Sequence, residues 1–199
     1  GSRSTAIGHG ALENQNFTTA TDSYNTAVGY VAGLSVTTAT HNTLIGGNAG
    51  TAITVGIRNT AVGSAALDAE VAGHYSVAVG YGALSSQTSA TGTNIYNTGI
   101  GYSAGAAITS GFENTLMGGL AGDALTNADY NTAVGSLALT ADTLGSRTVA
   151  IGTGALASQN FTTATDTYNV AVGFSAGTAV TTGIRNSIIG GLAGDALTD

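Results

Sequence analysis

A short motif recurs eleven times in this chain of 199 residues. In its commonest form it reads N-T-A-V-G-x-x-A, and we number the positions of each repeat, or coil, from its first residue. The first residues are Ser4, Asn25, Asn42, Asn59, Ser76, Asn97, Asn114, Asn131, Thr148, Asn169 and Asn186. The interval to the next coil is 21 residues after Ser4, Ser76 and Thr148 and 17 after the others, so sets of four coils repeat every 72 residues. Fixed intervals of this size predict a solenoid, in which each coil buries its apolar side against its neighbours.

Composition excludes several other classes of protein. Hydrophobic residues make up 43% of the chain and charged residues 8%, whereas disordered chains combine low hydrophobicity with high charge. We expect no nucleic-acid binding, because a net charge of −7 with four Lys and Arg provides no basic cluster. The absence of Cys excludes disulfides and thiolate metal sites. No apolar run approaches the roughly 18 residues of a membrane span, so we expect no membrane insertion.

Three positions have a clear structural meaning. Position 5 is always Gly, from Gly8 to Gly190, which indicates a corner with positive φ or a close approach of two backbones. Position 8 is always Ala, from Ala11 to Ala193, which predicts an inner site with room for a methyl group only. Position 1 is Asn in the 17-residue coils, and we expect these side chains to form an amide ladder that bonds each coil to the next.

Positions 2 to 4 form the predicted strand, which is apolar on both faces. Alternation puts positions 2 and 4 on one face, and we expect their β-branched side chains to fill the interior. Position 3 would then face outward, with Ala in most coils and Leu44, Leu116 or Ile188 in the third coil of each set. Soluble monomers rarely expose a long apolar stripe. The stripe marked by Leu44, Leu116 and Ile188 therefore predicts self-association about an axis parallel to the solenoid.

The 21-residue coils each contain four additional residues, which we expect to project from the shaft as loops. Residues 15–22 and 159–166 both read QNFTTATD, and residues 87–94 read QTSATGTN. A Phe that recurs in such a loop requires a packing or a binding partner. The candidate surface-contact residues are Phe17, Thr18, Thr19, Asp22, Phe161, Thr162, Thr163 and Asp166.

The motif resembles the head repeats of YadA-type trimeric autotransporter adhesins, which read close to S-V-A-I-G-x-x-A. Residues 76–80 (SVAVG) and 148–152 (TVAIG) are the nearest matches, and residues 25–30 (NTAVGY) are similar to repeats of phage tail fibres. The resemblance covers the whole chain. It implies a left-handed parallel β-roll, three copies about a common axis, attachment to surfaces and no catalytic residues. The Asn-Thr start and the 72-residue set favour the phage-fibre repeats, since the coils are longer than those of the adhesin heads.

Metal-binding and catalytic sites have less support in the sequence. His9, His41 and His74 occupy different columns, so we expect no metal site from them. A Ca²⁺ site built from loop Asp and Thr oxygens is a minor alternative. Position 10 has an acid in four coils and an uncharged residue in the others. This pattern is more typical of a solvated face than of the paired catalytic carboxylates of a glycoside hydrolase. These acids are Glu13, Asp68, Asp123 and Asp195.

Two further surfaces have alternative interpretations. Tyr residues share the corner before position 1 with Arg, His and Glu, which indicates an outer edge that protects the corner or stacks on sugar rings. Thr-rich segments raise the possibility of an ice-binding array, but TTAT occurs in only three of the eleven coils, at residues 18–21, 37–40 and 162–165, so the array would be interrupted.

The sequence therefore predicts an all-β fold, a left-handed parallel β-solenoid in which residues 1–199 form one segment of a longer fibrous protein. The expected function is a structural and adhesive fibre segment without enzymatic activity or cofactor, which forms a homotrimer and attaches to a host glycan or protein. Its expected location is extracellular, on a phage tail fibre or a bacterial surface. The alternatives that stay open are a tailspike-like glycan hydrolase and a purely structural spacer.

Overall fold

The computed structural model describes residues 1–198, and within them every regular element is a β-strand. Eleven strands of three residues each occupy positions 2 to 4 of the coils, and two shorter strands lie beside the last loop. The strands are β1 (Thr5–Ile7), β2 (Thr26–Val28), β3 (Thr43–Ile45), β4 (Thr60–Val62), β5 (Val77–Val79), β6 (Thr98–Ile100), β7 (Thr115–Met117), β8 (Thr132–Val134), β9 (Gly145–Ser146), β10 (Val149–Ile151), β11 (Thr165–Asp166), β12 (Val170–Val172) and β13 (Ser187–Ile189). No helix in residues 1–198 has the length and apolar character needed to cross a membrane.

The coil strands form one parallel sheet of eleven strands, in the order β1-β2-β3-β4-β5-β6-β7-β8-β10-β12-β13. Each pairing joins equal positions of successive coils, as in Ala61 beside Ala78 and Ala78 beside Gly99. With neighbouring strands about 4.8 Å apart, the stack is about 50 Å long. The predicted all-β parallel solenoid is confirmed, with one strand from each of the eleven repeats.

Glycine at position 5 has two physical reasons. At Gly101 the φ angle is 137°, in a region that L side chains rarely adopt. A Cβ atom there would also lie 2.5 Å from the carbonyl oxygen of Gly118 in the next coil. The same close approach recurs along the column from Gly8 to Gly173. Both the positive φ and the close backbone approach predicted for this position are confirmed.

The buried Asn residues at position 1 connect successive coils. The side-chain oxygen of Asn42 accepts the backbone N–H of Asn59 at 2.8 Å, while its amide donates to the carbonyl of Gly56 at 2.8 Å in its own coil. Asn97 makes the same two bonds, to Asn114 at 2.9 Å and to Gly111 at 2.7 Å. The predicted ladder is confirmed. Its rungs run mainly through backbone groups of the next coil rather than from amide to amide.

The assignment of the two strand faces is wrong. Leu44 and Leu116 are fully buried and Ile188 is 7% exposed, so all three belong to the core of a single chain rather than to an outer stripe. Position 3 faces inward together with the Ala of position 8, and positions 2 and 4 face outward. The physical reason is space, because the interior of one coil is narrow and the strand mostly contributes a methyl group to it. The larger β-branched side chains are consequently outside.

Large core side chains fill the gaps left by glycines of their own coil and of the preceding coil. A Cβ atom on Gly33 or Gly50, both at position 9, would lie 2.6 or 2.7 Å from a methyl carbon of Leu44. Coils with Gly at position 9 have an apolar residue at position 12, such as Ile53, whereas coils with Leu at position 9 have Gln, Glu or Asp there. Each coil of a set therefore has its own core composition and is complementary to particular neighbours.

Candidate assembly and adhesive surfaces

The outward side of the eleven-stranded sheet is uncharged, with a continuous apolar row at position 4 beside mostly Thr at position 2. We call it the sheet face and define it by positions 2, 4 and 6 of all coils. No Asp, Glu, Lys or Arg occurs at these positions in the sequence. Position 4 is always Val, Ile or Met, and its side chains are partly exposed, 38% for Ile45 and 40% for Met117. The apolar stripe expected at position 3 is therefore present on the opposite side of the same strands.

Aromatic side chains lie along both long edges of the sheet face. Position 6 forms one edge, where Tyr30, Tyr81, Tyr102 and Phe174 are 59–62% exposed. The residue before position 1 forms the other edge, which we call the corner column. The corner column consists of Arg3, Tyr24, His41, Arg58, Tyr75, Tyr96, Glu113, Tyr130, Arg147, Tyr168 and Arg185. These residues all have positive φ angles between 50° and 63°.

The corner column is stabilised by contacts along the solenoid axis. The guanidinium of Arg58 lies 5.6 Å from the ring centroid of Tyr75, and the Tyr75 ring stacks on Tyr96 at 5.1 Å. Arg147 lies 4.9 Å from the ring of Tyr130. Such cation–π and stacking contacts contribute about 0.5–1 kcal/mol each at exposed sites. The column forms an outer edge, as predicted, in which each coil contacts the next.

The loops of the first and third sets project from the shaft at their Thr residues. Thr18, Thr19, Thr162 and Thr163 are exposed, as expected of contact residues. The Phe residues are not loop tips. Phe161 is 7% exposed, and Phe17 is half-buried with its ring beside Gly1. Each Phe instead packs its loop onto the shaft, which is the packing reason that a recurring loop Phe requires.

Asp22 and Asp166 are exposed and are held by arginines of the preceding coil. Asp22 lies 3.1 Å from Nη1 of Arg3 and accepts the hydroxyl of Ser2 at 2.6 Å. Asp166 forms an ion pair with Arg147, and its segment β11 pairs with β9. These contacts fix the end of each loop on the corner column. A guanidinium beside each carboxylate also disfavours the binding of a cation such as Ca²⁺.

The base of the second and of the third loop is a buried polar cluster that the sequence reading missed. Glu70, at position 12, is fully buried. One of its oxygens accepts the backbone N–H groups of Ala72 and Gly73 at 3.0 and 2.7 Å. The other accepts the Gln87 amide and the Ser89 hydroxyl, each at 2.8 Å. The acid of one coil thus orders the loop of the next.

Asp142 has the same role one set later. It accepts the backbone N–H groups of Gly145 and Phe161 at 3.1 and 3.0 Å and the Gln159 amide at 2.6 Å. The oxygen of Gln159 accepts the Asn169 amide at 2.8 Å, which joins the cluster to the Asn ladder. Its sequence signal is at position 12, which is polar only in the first and fourth coils of each set.

The three histidines each have a different partner, and the position-10 acids are widely spaced along the shaft. His9 stacks on Tyr30 at 5.6 Å, His41 lies 5.1 Å from Tyr24, and Nδ1 of His74 accepts the Ile57 N–H at 3.1 Å. Successive acids of position 10 are three coils or more apart, about 14 Å at about 4.8 Å per coil, whereas paired glycosidase carboxylates are about 5–9.5 Å apart.

Two of the position-10 acids have defined surroundings. Burial raises the pKa of Asp68 above its ordinary value of 3.8, and hydrogen bonds from its own N–H and from that of Ala69 oppose the rise. Asp123 accepts the hydroxyl of Thr140 at 2.6 Å. Both side chains are half-buried between coils, so each is a local contact of the shaft.

Neither a pocket nor a group of three His, Asp or Glu side chains able to hold a metal ion is found in the part of the chain that the structure describes. No family model, no curated protein and no solved structure matches this chain. The function of the sheet face and of the loops therefore has to be inferred from their own chemistry.

Proposed function

We propose that this chain is a segment of an extracellular adhesive fibre, on a virion tail or a bacterial surface. Identical copies associate through their sheet faces, and the loops contact a host glycan or protein. The observation that carries the proposal is the sheet face, an uncharged surface whose apolar row at position 4 continues over eleven strands. The resemblance to trimeric adhesin heads and tail fibres supports three copies per fibre and a role without catalysis.

The dimensions of the sheet face suit a stable protein interface. Eleven strands about 4.8 Å apart and five residues of about 3.3 Å each give a surface of about 50 by 17 Å, or about 800 Å². Stable interfaces bury about 800 Å² on each partner. A face without charged residues also avoids the cost of burying unpaired charges.

The loops support attachment because they repeat at a regular spacing. Their tips expose Thr hydroxyl groups, which donate and accept hydrogen bonds, and four coils separate one loop from the next, about 19 Å at about 4.8 Å per coil. Weak contacts at regularly spaced sites combine into strong binding when one fibre engages several of them at once. A surface rich in repeated glycans is the type of partner that this arrangement fits.

Sedimentation equilibrium tests the assembly step. We expect the wild-type chain to sediment as a trimer at micromolar concentration, and Met117→Asp to dissociate it by placing a charge in the sheet face. Asn127→Asp is the matched control, because Asn127 is exposed outside the sheet face. A wild-type chain that sediments as a monomer would contradict the proposed assembly.

Binding to a glycan array tests the attachment step. We expect binding by the wild-type chain, and at least tenfold weaker binding when Thr18, Thr19, Thr162 and Thr163 are all replaced by Ala, since lost loop contacts act together. Thr38→Ala, an exposed Thr of a 17-residue coil, is the control. Binding that survives the fourfold replacement would exclude the loops as the contact. Absence of binding to any glycan or host surface would favour the spacer, and cleavage of array glycans would favour the hydrolase.

A further inference from the structure

The two edges of the sheet face change residue type together from coil to coil. Wherever position 6 is aromatic, the corner-column residue six places earlier is Tyr: residues 24–30 (YNTAVGY), 75–81 (YSVAVGY), 96–102 (YNTGIGY) and 168–174 (YNVAVGF). In six of the other seven coils, the corner residue is Arg, His or Glu and position 6 is Gly, Ser, Thr or His. The exception is Tyr130 with Ser136, where Phe112 already packs edge-on against the Tyr130 ring at 5.2 Å.

The second coils of all three sets are aromatic at both edges and the third coils at neither, so the informative comparison is between the first coils, where the place within the set is constant and the residues differ. The first coils of the three sets occupy equivalent places, yet they have Arg3 with His9, Tyr75 with Tyr81, and Arg147 with Thr153. Among these first coils, both edges are Tyr in the middle set, and neither edge is Tyr or Phe in the other two sets. A physical contact between the edges accounts for such joint changes.

The two edges do not touch each other within one chain. A strand and its two corners separate them, a distance of roughly 15 Å at about 3.3 Å per extended residue. Ring contacts run along each edge instead, from Tyr75 to Tyr96 at 5.1 Å and from Tyr81 to Tyr102 at 5.8 Å. The contact that couples the edges is consequently one between different copies of the chain.

Glycines at position 6 indicate an approach from outside the chain. Gly47, Gly119 and Gly191 are not among the residues with positive φ. A Cβ atom would meet nothing within 4 Å at Gly119 or Gly191, and only the Ser64 hydroxyl at 4.0 Å at Gly47. Neither backbone conformation nor packing within the chain therefore requires glycine there, although Ala at a compatible position is more stable by about 0.4–1 kcal/mol. In the same three coils, the corner-column residues are His41, Glu113 and Arg185, which have long side chains.

Rotation about an axis parallel to the solenoid brings the position-6 edge of one copy to the corner column of the next at equal height. Such symmetry places aromatic residues opposite aromatic residues and glycines opposite long polar side chains. We propose that copies of this chain pack in register in this way, with position 6 of each coil against the corner residue six places earlier in a neighbouring copy. The inference rests on the proposed self-association and specifies its geometry.

Disulfide cross-linking tests the register, because the chain has no Cys of its own. Arg58→Cys with Ser64→Cys places one thiol on each edge at the same level, and both native residues are exposed. Within one chain these positions are too far apart to be bridged, since disulfides need Cα atoms within about 7 Å. We expect oxidation to yield covalent dimers and trimers on a denaturing gel without reductant. Arg58→Cys with Ser136→Cys is the off-register control, with its second thiol four coils higher.

The outcomes separate this inference from the proposed function. At least tenfold more cross-linked product for the in-register pair than for the control supports the inference, because thiols held in contact react at a high effective concentration. A chain that sediments as an oligomer but is cross-linked only in the control pair, or in neither pair, overturns the register and leaves the self-association standing. A wild-type chain that is monomeric in sedimentation overturns both.

Discussion

At the scale of single residues, the assignment of the strand faces can be tested with two adjacent side chains. Leu116 is fully buried between Gly105 and Gly122, whereas Met117 is 40% exposed. We expect Leu116→Ala to lower the free energy of unfolding by about 3 kcal/mol, because the flanking glycines cannot fill the cavity. In the dissociated chain, where Met117 faces solvent, Met117→Ala should change it by less than about 1 kcal/mol. Denaturant titrations of both variants at several protein concentrations check this, and equal losses would contradict the inward position of Leu116.

Asp68 gives the shaft a small pH dependence. Burial raises its pKa in the folded state, so between 3.8 and that higher value the folded chain binds more protons than the unfolded chain. The contribution of Asp68 to stability therefore falls as pH rises through this interval and stays unfavourable above it. We expect Asp68→Asn to be more stable than wild type at pH 7, by an amount that shrinks as pH falls through this interval and levels off below 3.8. Thermal unfolding from pH 3 to 7 measures the difference, and a gain that is independent of pH would refute this origin.

Some residues were predictable from the sequence because one chemical reason determines each of them. Gly101 has a conformation and a backbone contact that only glycine allows, and Asn42 satisfies buried backbone groups of two coils. The inward position of Leu44 was not predictable by alternation. Its strand is apolar on both faces, so periodicity separates the faces without saying which one is inside. The space left by Gly33 and Gly50, which decides the matter, appears only when coils are stacked.

At the scale of elements, the buried acids are expected to hold the loops. Asp142→Ala leaves the N–H groups of Gly145 and Phe161 without their side-chain acceptor in the interior and removes one of the two acceptors of the Gln159 amide. We expect it to lower the free energy of unfolding by about 3–5 kcal/mol, as for other broken buried polar networks. Asp123→Ala removes the same charge from a half-buried site with a Thr140 contact, and about 1 kcal/mol or less is expected.

Amide hydrogen exchange separates loop release from general destabilisation. In Asp142→Ala, the amides of Gly145 and Phe161 should exchange much faster than those of the remote strand β3, while Asp123→Ala should leave both unchanged. Uniform acceleration along the chain would show that Asp142 stabilises the stack without holding the loop in particular.

The existence of the loops followed from the four additional residues, but their conformation did not. Phe161 looks like an exposed tip in the sequence because its neighbours are Thr and Asn. Its N–H bonds to Asp142, a residue 19 positions earlier, and this draws the segment onto the shaft. Contacts between coils are long-range in sequence, so a local pattern does not reveal them.

At the scale of the whole molecule, we expect the structural repeat of the solenoid to be the set of four coils rather than the single coil. Deletion of residues 76–147 removes one complete set and joins coil 4 to coil 9. This junction puts Glu70 below Gln159 and Leu67 beside Leu156, which reproduces the native junction of Glu70 with Gln87. Deletion of residues 59–75 removes a single coil and puts Ile53 below Gln87, so Gln87 and the loop lose their carboxylate.

We expect the shorter deletion to be the more harmful one. Stability in a solenoid is approximately a sum of coil and nearest-neighbour terms, so a chain that keeps native junctions should unfold cooperatively near the wild-type midpoint although it has fewer coils. The chain without residues 59–75 should lose about 3 kcal/mol or more from its unpaired Gln87 cluster. Denaturant unfolding followed by circular dichroism compares the two. If the single-coil deletion were as stable as wild type while the deletion of a set was not, the coils would be interchangeable and the buried acids would not specify their order.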